Sequence, residues 1–247
     1  NMIFEDRQRN IWLATDFAGL LLFRREQNDF DFITSEEGIS NGLRYSFAIS
    51  SIFQDQNDHL WIGTDRGINI FNPYQDRFQS IRHLDAQAGS LPKNDINDII
   101  ETKQGNILVG TWGGGITVFD HDWNFIRNIQ FGKDDMLDQV WSFVQNDDGM
   151  IWAGCQRGYL HIINPETFAI KTLRPPEVEN STITSIVKDE QGNLYMGLNS
   201  GEICTWKKAD QKFYSFRDTL DKVGEPATPI INLFIDPHGR IWSAHQY

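Results

Sequence analysis

The sequence predicts an all-β protein, a β-propeller built from four-stranded antiparallel blades. The first observation is a segment that recurs along the chain: an apolar strand with an aromatic or aliphatic anchor, a glycine corner and a further strand. The second is the period, because the anchors lie 49, 47, 44, 43 and 47 residues apart, a spacing typical of propeller blades. The anchors are Trp12, Trp61, Leu108, Trp152, Tyr195 and Trp242.

Each blade is expected to hold strands A to D, counted from the inside outward. The repeat continues without interruption, so we expect a single domain over residues 1–247 with five near-complete blades and a partial sixth. The expected blades cover about residues 2–34, 47–82, 96–131, 140–173, 183–216 and, in part, 230–247.

Strand B and the turns support this assignment. Strand B is nearly apolar, as in Leu-Trp-Ile-Gly at 60–63, which is expected of a strand covered by neighbouring blades on both faces. We therefore interpret the repeated tryptophans as core residues rather than as a binding site. The A–B connections end in Gly, as at Gly105 and Gly149, which supplies the left-handed residue that a tight hairpin requires.

Charge and composition exclude several classes of function. The chain has 34 acidic and 22 basic residues, a net charge of -12, which disfavours direct binding to nucleic acid. No basic run marks a membrane-binding patch in this chain. The two cysteines, Cys155 and Cys204, leave both a disulfide and free thiols open.

No catalytic or metal-binding constellation stands out in the sequence. The six histidines are scattered without metal-ligand spacing, and paired acids such as Asp134-Asp135 lie in predicted turns. We therefore expect no cofactor, no metal and no enzymatic activity from this chain.

The repeated motif carries a family resemblance. The run Asp-x-x-Gly-x-(Leu/Ile)-Trp-(Ile/Leu)-Gly-Thr-x-x-Gly-(Leu/Ile) recurs in register over the whole chain and resembles the two-component regulator propeller repeat. The link Ser90-Leu91-Pro92-Lys93-Asn94 between blades is similar to that family's connecting segment. Departures include Ala14 and Ala153 within the motif, and Leu108 and Tyr195 in place of Trp.

The resemblance implies a function for a longer parent protein. Such repeats build the periplasmic sensor region of Bacteroidetes-type hybrid two-component systems, in which seven-bladed propellers precede a membrane helix and a cytoplasmic histidine kinase. These sensors respond to glycan fragments. The chain would then be a fragment of a seven-bladed propeller and a ligand-sensing part of such a system, without phosphotransfer activity of its own. It would contact a membrane only through other parts of the parent protein.

Blade topology predicts where a ligand would bind. Strands A and B run in opposite directions, so the D–A and B–C loops share one face. Aromatic planes surrounded by Arg, Asn and Gln suit sugar rings, which offer apolar faces and many hydroxyls. Trp112 and Trp141 stand out on this face because they lie off the core pattern. The candidate residues are Arg44, Tyr45, Arg66, Asn94, Trp112, Gln139, Trp141 and Arg157.

Two alternatives to ligand sensing remain open. One is an interaction or dimerisation propeller without a small ligand, since unclosed blades leave strand edges that favour self-association or pairing with a neighbouring propeller of the parent chain. The other is a propeller enzyme such as a lyase or glycosidase, which the lack of a carboxylate or metal constellation disfavours.

Overall fold

The computed structural model describes residues 2–15, 19–33, 43, 48–85, 89–132, 137–216 and 228–246. The described residues form five four-stranded antiparallel sheets and one two-stranded sheet, each with its strands in sequence order. The predicted fold class, all-β with four-stranded propeller blades, is confirmed. Two compact units are distinguished, residues 1–101 with 105–129 and residues 102–104 with 130–247, and each is described by itself.

The first unit contains blades 1 to 3. Blade 1 is β1 (Met2–Glu5), β2 (Ile11–Thr15), β3 (Gly19–Arg24) and β4 (Asp29–Ile33); blade 2 is β5 (Ile49–Gln54), β6 (Leu60–Thr64), β7 (Gly67–Asn72) and β8 (Arg77–Ile81); blade 3 is β9 (Ile96–Glu101), β10 (Ile107–Thr111), β11 (Gly115–Phe119) and β12 (Phe125–Ile129).

The second unit contains blades 4 and 5 and a two-stranded blade 6. Blade 4 is β13 (Val140–Gln145), β14 (Ile151–Cys155), β15 (Leu160–Ile163) and β16 (Ile170–Leu173); blade 5 is β17 (Ile183–Lys188), β18 (Leu194–Leu198), β19 (Ile203–Lys207) and β20 (Lys212–Phe216); blade 6 is β21 (Ile230–Ile235) and β22 (Ile241–His245). Single-turn 3-10 helices span Gln156–Gly158 and Pro176–Val178.

The anchor tryptophans join neighbouring blades inside each unit. Trp12 of blade 1 packs with Leu60 and Ile62 of blade 2, and it is 1% exposed. Trp61 and Trp152 pack in the same way against blades 3 and 5. The interpretation of these three side chains as core is therefore confirmed. Trp242 of blade 6 differs, since 56% of its surface is exposed.

The remaining structural expectations concern thiols and membrane helices. Cys155 and Cys204 are both buried free thiols, so they form no disulfide with each other. The part of the chain that the structure describes contains no helix whose length and apolar character would let it cross a bilayer.

Candidate functional site

In the first unit, the D–A connection and the B–C corners meet at one end of the blades, as the topology predicts. The backbone N–H of Gly67, at the B–C corner of blade 2, donates to the carbonyl of Asn94 at 2.8 Å. The backbone N–H of Trp112, at the corner of blade 3, donates to the carbonyl of Asp95 at 2.9 Å. The connection between blades 2 and 3 is thus hydrogen-bonded to both corners, which gives this face a defined surface.

A cleft of about 210 Å³ opens on this surface, and we call it the loop-face cleft. Trp112 supplies an aromatic wall with 44% of its side chain exposed, and the carboxylates of Asp65 and Asp95 supply acceptors. The hydroxyl of Ser50, also in the lining, donates to the carbonyl of Ile96. The full lining is Ala48, Ile49, Ser50, Asp65, Asp95, Ile96, Asn97 and Trp112.

Two further candidates of the first unit, Arg66 and Asn94, are near the cleft but do not line it. Arg66 is exposed, and its Nε lies 4.0 Å from Oδ2 of the cleft residue Asp65. The Oδ1 of Asn94 accepts the backbone N–H of His83 at 2.7 Å, so this amide organises the loop. Arg44 and Tyr45 lie outside the described residues.

In the second unit, the candidates form a hydrogen-bonded group at the corner of blade 4. The Nε1 of Trp141 donates to Oε1 of Gln156 at 3.1 Å, and the same oxygen accepts the hydroxyl of Thr182 at 3.1 Å. Gln139 is buried, and its carbonyl accepts the N–H of Gln156 at 3.2 Å. Trp141 is half-buried, so its ring contributes as much to packing as to the surface.

Arg157 is exposed, with a left-handed backbone at φ 54°, in the 3-10 turn that follows β14. Its carbonyl accepts the Nε of Arg174 at 3.2 Å, which ties the corner to the strand D end of blade 4. Its guanidinium therefore stands on a well-defined turn at the surface.

Of the residues that line the loop-face cleft, only Trp112 is among the predicted candidates, and the polar residues missed include Ser50 and Asn97. Each is the second residue of a strand A, at the end next to the D–A loop. A polar side chain at this position in both strands was the signal that could have indicated them. Among the described residues, no group of three or more His, Cys, Asp or Glu side chains could hold a metal ion.

Comparison with solved structures places the chain among β-propeller proteins. The extracellular domain assigned to the hybrid two-component system BT3049 from B. thetaiotaomicron superposes with a TM-score of 0.78 at 20% identity, over 99% of this chain and 32% of that one. The corresponding domain of system BT4673 from the same organism gives 0.70 at 19% identity, over 99% and 36%. Virginiamycin B lyase from Staphylococcus aureus gives 0.75 at 11% identity, over 98% and 76%.

The TM-scores of 0.78 and 0.70 establish a shared fold, and the resemblance to sensor propellers is confirmed at that level. The chain spans about a third of the length of the two extracellular domains. Because a lyase has the same fold, the fold alone does not separate a sensor from an enzyme.

A family can be assigned from the sequence itself. The model described as a domain of unknown function, DUF5074, matches residues 44–228, well over half of the chain. The protein therefore belongs to the DUF5074 family. No curated protein sequence matches the chain.

Proposed function

We propose that this chain is a ligand-sensing part of the extracytoplasmic region of a hybrid two-component system. The likeness in fold to two such extracellular domains supports this, as does the repeat motif. The parent would be an inner-membrane histidine kinase with this segment in the periplasm. Ligand binding would favour one arrangement of the sensor region and so shift the population of kinase states.

The observation that carries the proposal is the exposed indole of Trp112 in the loop-face cleft. A flat aromatic wall packs against the apolar face of a sugar ring, and the carboxylates of Asp65 and Asp95 accept hydrogen bonds from its hydroxyl groups. We therefore propose an oligosaccharide fragment as the ligand of this cleft.

A thermal-shift screen against plant and host oligosaccharides tests the proposal. A glycan at a hundred times its dissociation constant adds about 2.7 kcal/mol to the free energy of unfolding. Trp112→Ala should abolish the shift, whereas Phe32→Ala, which removes an exposed aromatic side chain from β4, should leave it intact. If no glycan shifts the transition, sensing by these blades is rejected.

A specific observation also favours the second candidate function, self-association through blade faces. Phe71 and Phe78 pack at 4.9 Å between ring centroids and are buried by blade 1, whereas the equivalent pair of blade 1, Phe23 and Phe30, packs at 4.7 Å with Phe30 52% exposed. Trp242 of blade 6 is exposed where other anchors are covered. Blade 1 at Phe30 and blade 6 at Trp242 therefore each expose apolar side chains of the kind that pack between neighbouring blades elsewhere in the chain.

Sedimentation velocity over a range of concentrations tests this second function. We expect the wild-type chain to associate and Trp242→Arg to be monomeric. A wild-type chain that stays monomeric at every concentration would exclude association between copies and leave a neighbouring propeller of the parent as the partner.

A further inference from the structure

A second cleft lies at the other end of the blades in the first unit, where the A–B and C–D turns of blades 1 and 2 meet. Its volume is about 210 Å³, and we call it the turn-face cleft. Buried apolar side chains form part of its wall, and polar side chains, most of them better exposed, surround them. The apolar residues are Trp12, Leu22, Leu60 and Phe71, and the polar ones include Asp6, Asn10, Arg24, Gln54, Asp58 and Asp76.

The next pair of blades is built on the same frame. Trp12 Nε1 donates to Asp6 Oδ2 at 2.9 Å, and Trp61 Nε1 donates to Asp55 Oδ2 at 2.9 Å. Across the blade contact, Trp12 lies 5.6 Å from Phe71, and the equivalent pair of Trp61 and Phe119 lies at 6.2 Å. The space beside Trp12, between blades 1 and 2, is therefore equivalent to the space beside Trp61, between blades 2 and 3.

Between blades 2 and 3 a tryptophan occupies this space. The ring of Trp123 lies edge-on to Trp61, with centroids 6.0 Å apart, and edge-on to His59 at 4.9 Å. Trp123 has a left-handed backbone, at φ 67°, two residues before Phe125 in strand D. The equivalent residue of blade 2 is Asp76, also left-handed at φ 49° and two residues before Phe78.

The turn-face cleft thus corresponds to the volume that the indole of Trp123 fills between blades 2 and 3. Between blades 1 and 2, the shorter side chain of Asp76 leaves this volume open. Two carboxylates stand at the rim of the cleft, those of Asp58 and Asp76. Asp58 is already engaged, because its Oδ1 pairs with Nη1 of Arg7 at 2.9 Å and its Oδ2 accepts the hydroxyl of Tyr74 at 2.8 Å. Arg24, the cation in the lining, is held by Asp31 with Nε and Oδ2 2.6 Å apart. Within the described residues, the carboxylate of Asp76 makes no hydrogen bond or ion pair, so it can meet an incoming cation.

We propose that the turn-face cleft binds a small molecule that joins a planar aromatic ring to an amine cation. The ring takes the place beside Trp12 that Trp123 takes beside Trp61, and the amine meets the carboxylate of Asp76. This site shares no residue with the loop-face cleft and does not depend on it.

Calorimetry and ligand-observed NMR with three probes of one ring system test the site. Tryptamine supplies ring and cation, indole the ring alone, and indole-3-acetate the ring with an anion. We expect tryptamine to bind most tightly and indole-3-acetate least. Asp76→Asn leaves the cleft open and removes one charge, so it should weaken tryptamine about two- to fivefold.

Asp76→Trp places an indole where blade 3 has one, so it should abolish tryptamine binding and raise the thermal midpoint. Trp112→Ala should leave tryptamine binding unchanged, which separates this site from the loop-face cleft. The proposal is overturned if indole-3-acetate binds as tightly as tryptamine. It is also overturned if a folded Asp76→Trp variant still binds tryptamine. If that variant does not fold, an unchanged affinity in Asp76→Asn overturns it instead.

Discussion

The indole Nε1 of Trp61 donates a hydrogen bond of 2.9 Å to Oδ2 of Asp55, and both side chains are buried. The other carboxylate oxygen, Oδ1, accepts the backbone N–H groups of Asn57 and His59, each at 2.9 Å. One carboxylate therefore closes the A–B turn of blade 2 and also fixes the anchor that joins this blade to the next. We call this arrangement the Asp–Trp clasp.

Asp55→Asn should weaken the clasp. The amide keeps one oxygen for the turn but presents an N–H₂ group to the indole N–H, so a buried donor loses its acceptor. We expect a loss of about 1–3 kcal/mol in the free energy of unfolding, measured by urea denaturation. Asp122→Asn, on an exposed turn, is the matched control and should change stability by less than about 0.5 kcal/mol. Equal effects of the two variants would contradict the role of the clasp.

The clasp recurs where the sequence keeps both partners. Trp12 donates to Asp6 at 2.9 Å, Trp242 to Asp236 at 3.0 Å, and the hydroxyl of Tyr195 to Asp189 at 3.1 Å. Blade 4 has Asn146 at the acidic position. There the Nε1 of Trp152 is buried and makes no hydrogen bond within the described residues.

Asn146→Asp should complete the clasp of blade 4. The new carboxylate can accept the indole N–H of Trp152 and still serve the turn, where Oδ1 of Asn146 now accepts the N–H of Asp147 at 2.8 Å. We expect a gain of about 1 kcal/mol in the free energy of unfolding. In a Trp152→Phe background the same change should bring no gain, and a gain of equal size there would show that it comes from elsewhere.

The repeat made much of the fold predictable from the sequence. The contacts between individual side chains could not be predicted in this way. An aspartate six residues before the anchor is visible in the sequence for Trp12, Trp61 and Trp242, yet its spacing alone is explained by turn formation. The sequence does not show that the A–B turn curls back until the carboxylate reaches the indole. The same limit applies to Asn94, whose side chain accepts a hydrogen bond from the loop backbone at His83. It also applies to Asp76, because its role is evident only from comparison with Trp123, the equivalent residue of blade 3.

The glycine that follows the anchor by two residues has a packing cause. A Cβ at Gly63 would lie 2.4 Å from Oγ of Ser51 and 2.7 Å from Cγ2 of Ile96, the first residue of the next blade. Gly197 meets Ile230 of blade 6 in the same way, at 2.7 Å. Ile96 and Ile230, each the first residue of a strand A, thus pack directly against the backbone of the preceding blade.

Gly63→Ala should therefore push blades 2 and 3 apart. We expect a loss of about 1–3 kcal/mol in the free energy of unfolding, because the added methyl group overpacks a buried contact. A second variant, Gly63→Ala with Ile96→Leu, replaces the opposing side chain by one that lacks Cγ2, the methyl group in contact, and should recover part of the loss. The absence of any recovery would argue against a steric contact with Ile96.

His161 of blade 4 is buried and lies in an aromatic stack with two half-buried rings. Its ring is parallel to Phe131, with centroids 3.6 Å apart, and Tyr159 continues the stack at 6.5 Å. Nδ1 lies 2.9 Å from the hydroxyl of Thr172, and Nε2 lies 3.4 Å from the carbonyl of Leu137. Burial lowers the pKa of His161 from 6.5 to about 4, although the Leu137 carbonyl acts in the opposite direction.

This depressed pKa predicts acid sensitivity in a defined window. Between pH 6.5 and about 4 the unfolded chain binds a proton at His161 that the folded chain does not, so stability falls as the pH falls. The contribution is about 1.4 kcal/mol per pH unit, or about 2 kcal/mol between pH 7 and 5. His161→Gln, which can keep the bond to Thr172, should remove that part of the slope in urea denaturation at both pH values, whereas exposed His121→Gln should retain it. Parallel slopes for wild type and His161→Gln would show that His161 is not the group responsible.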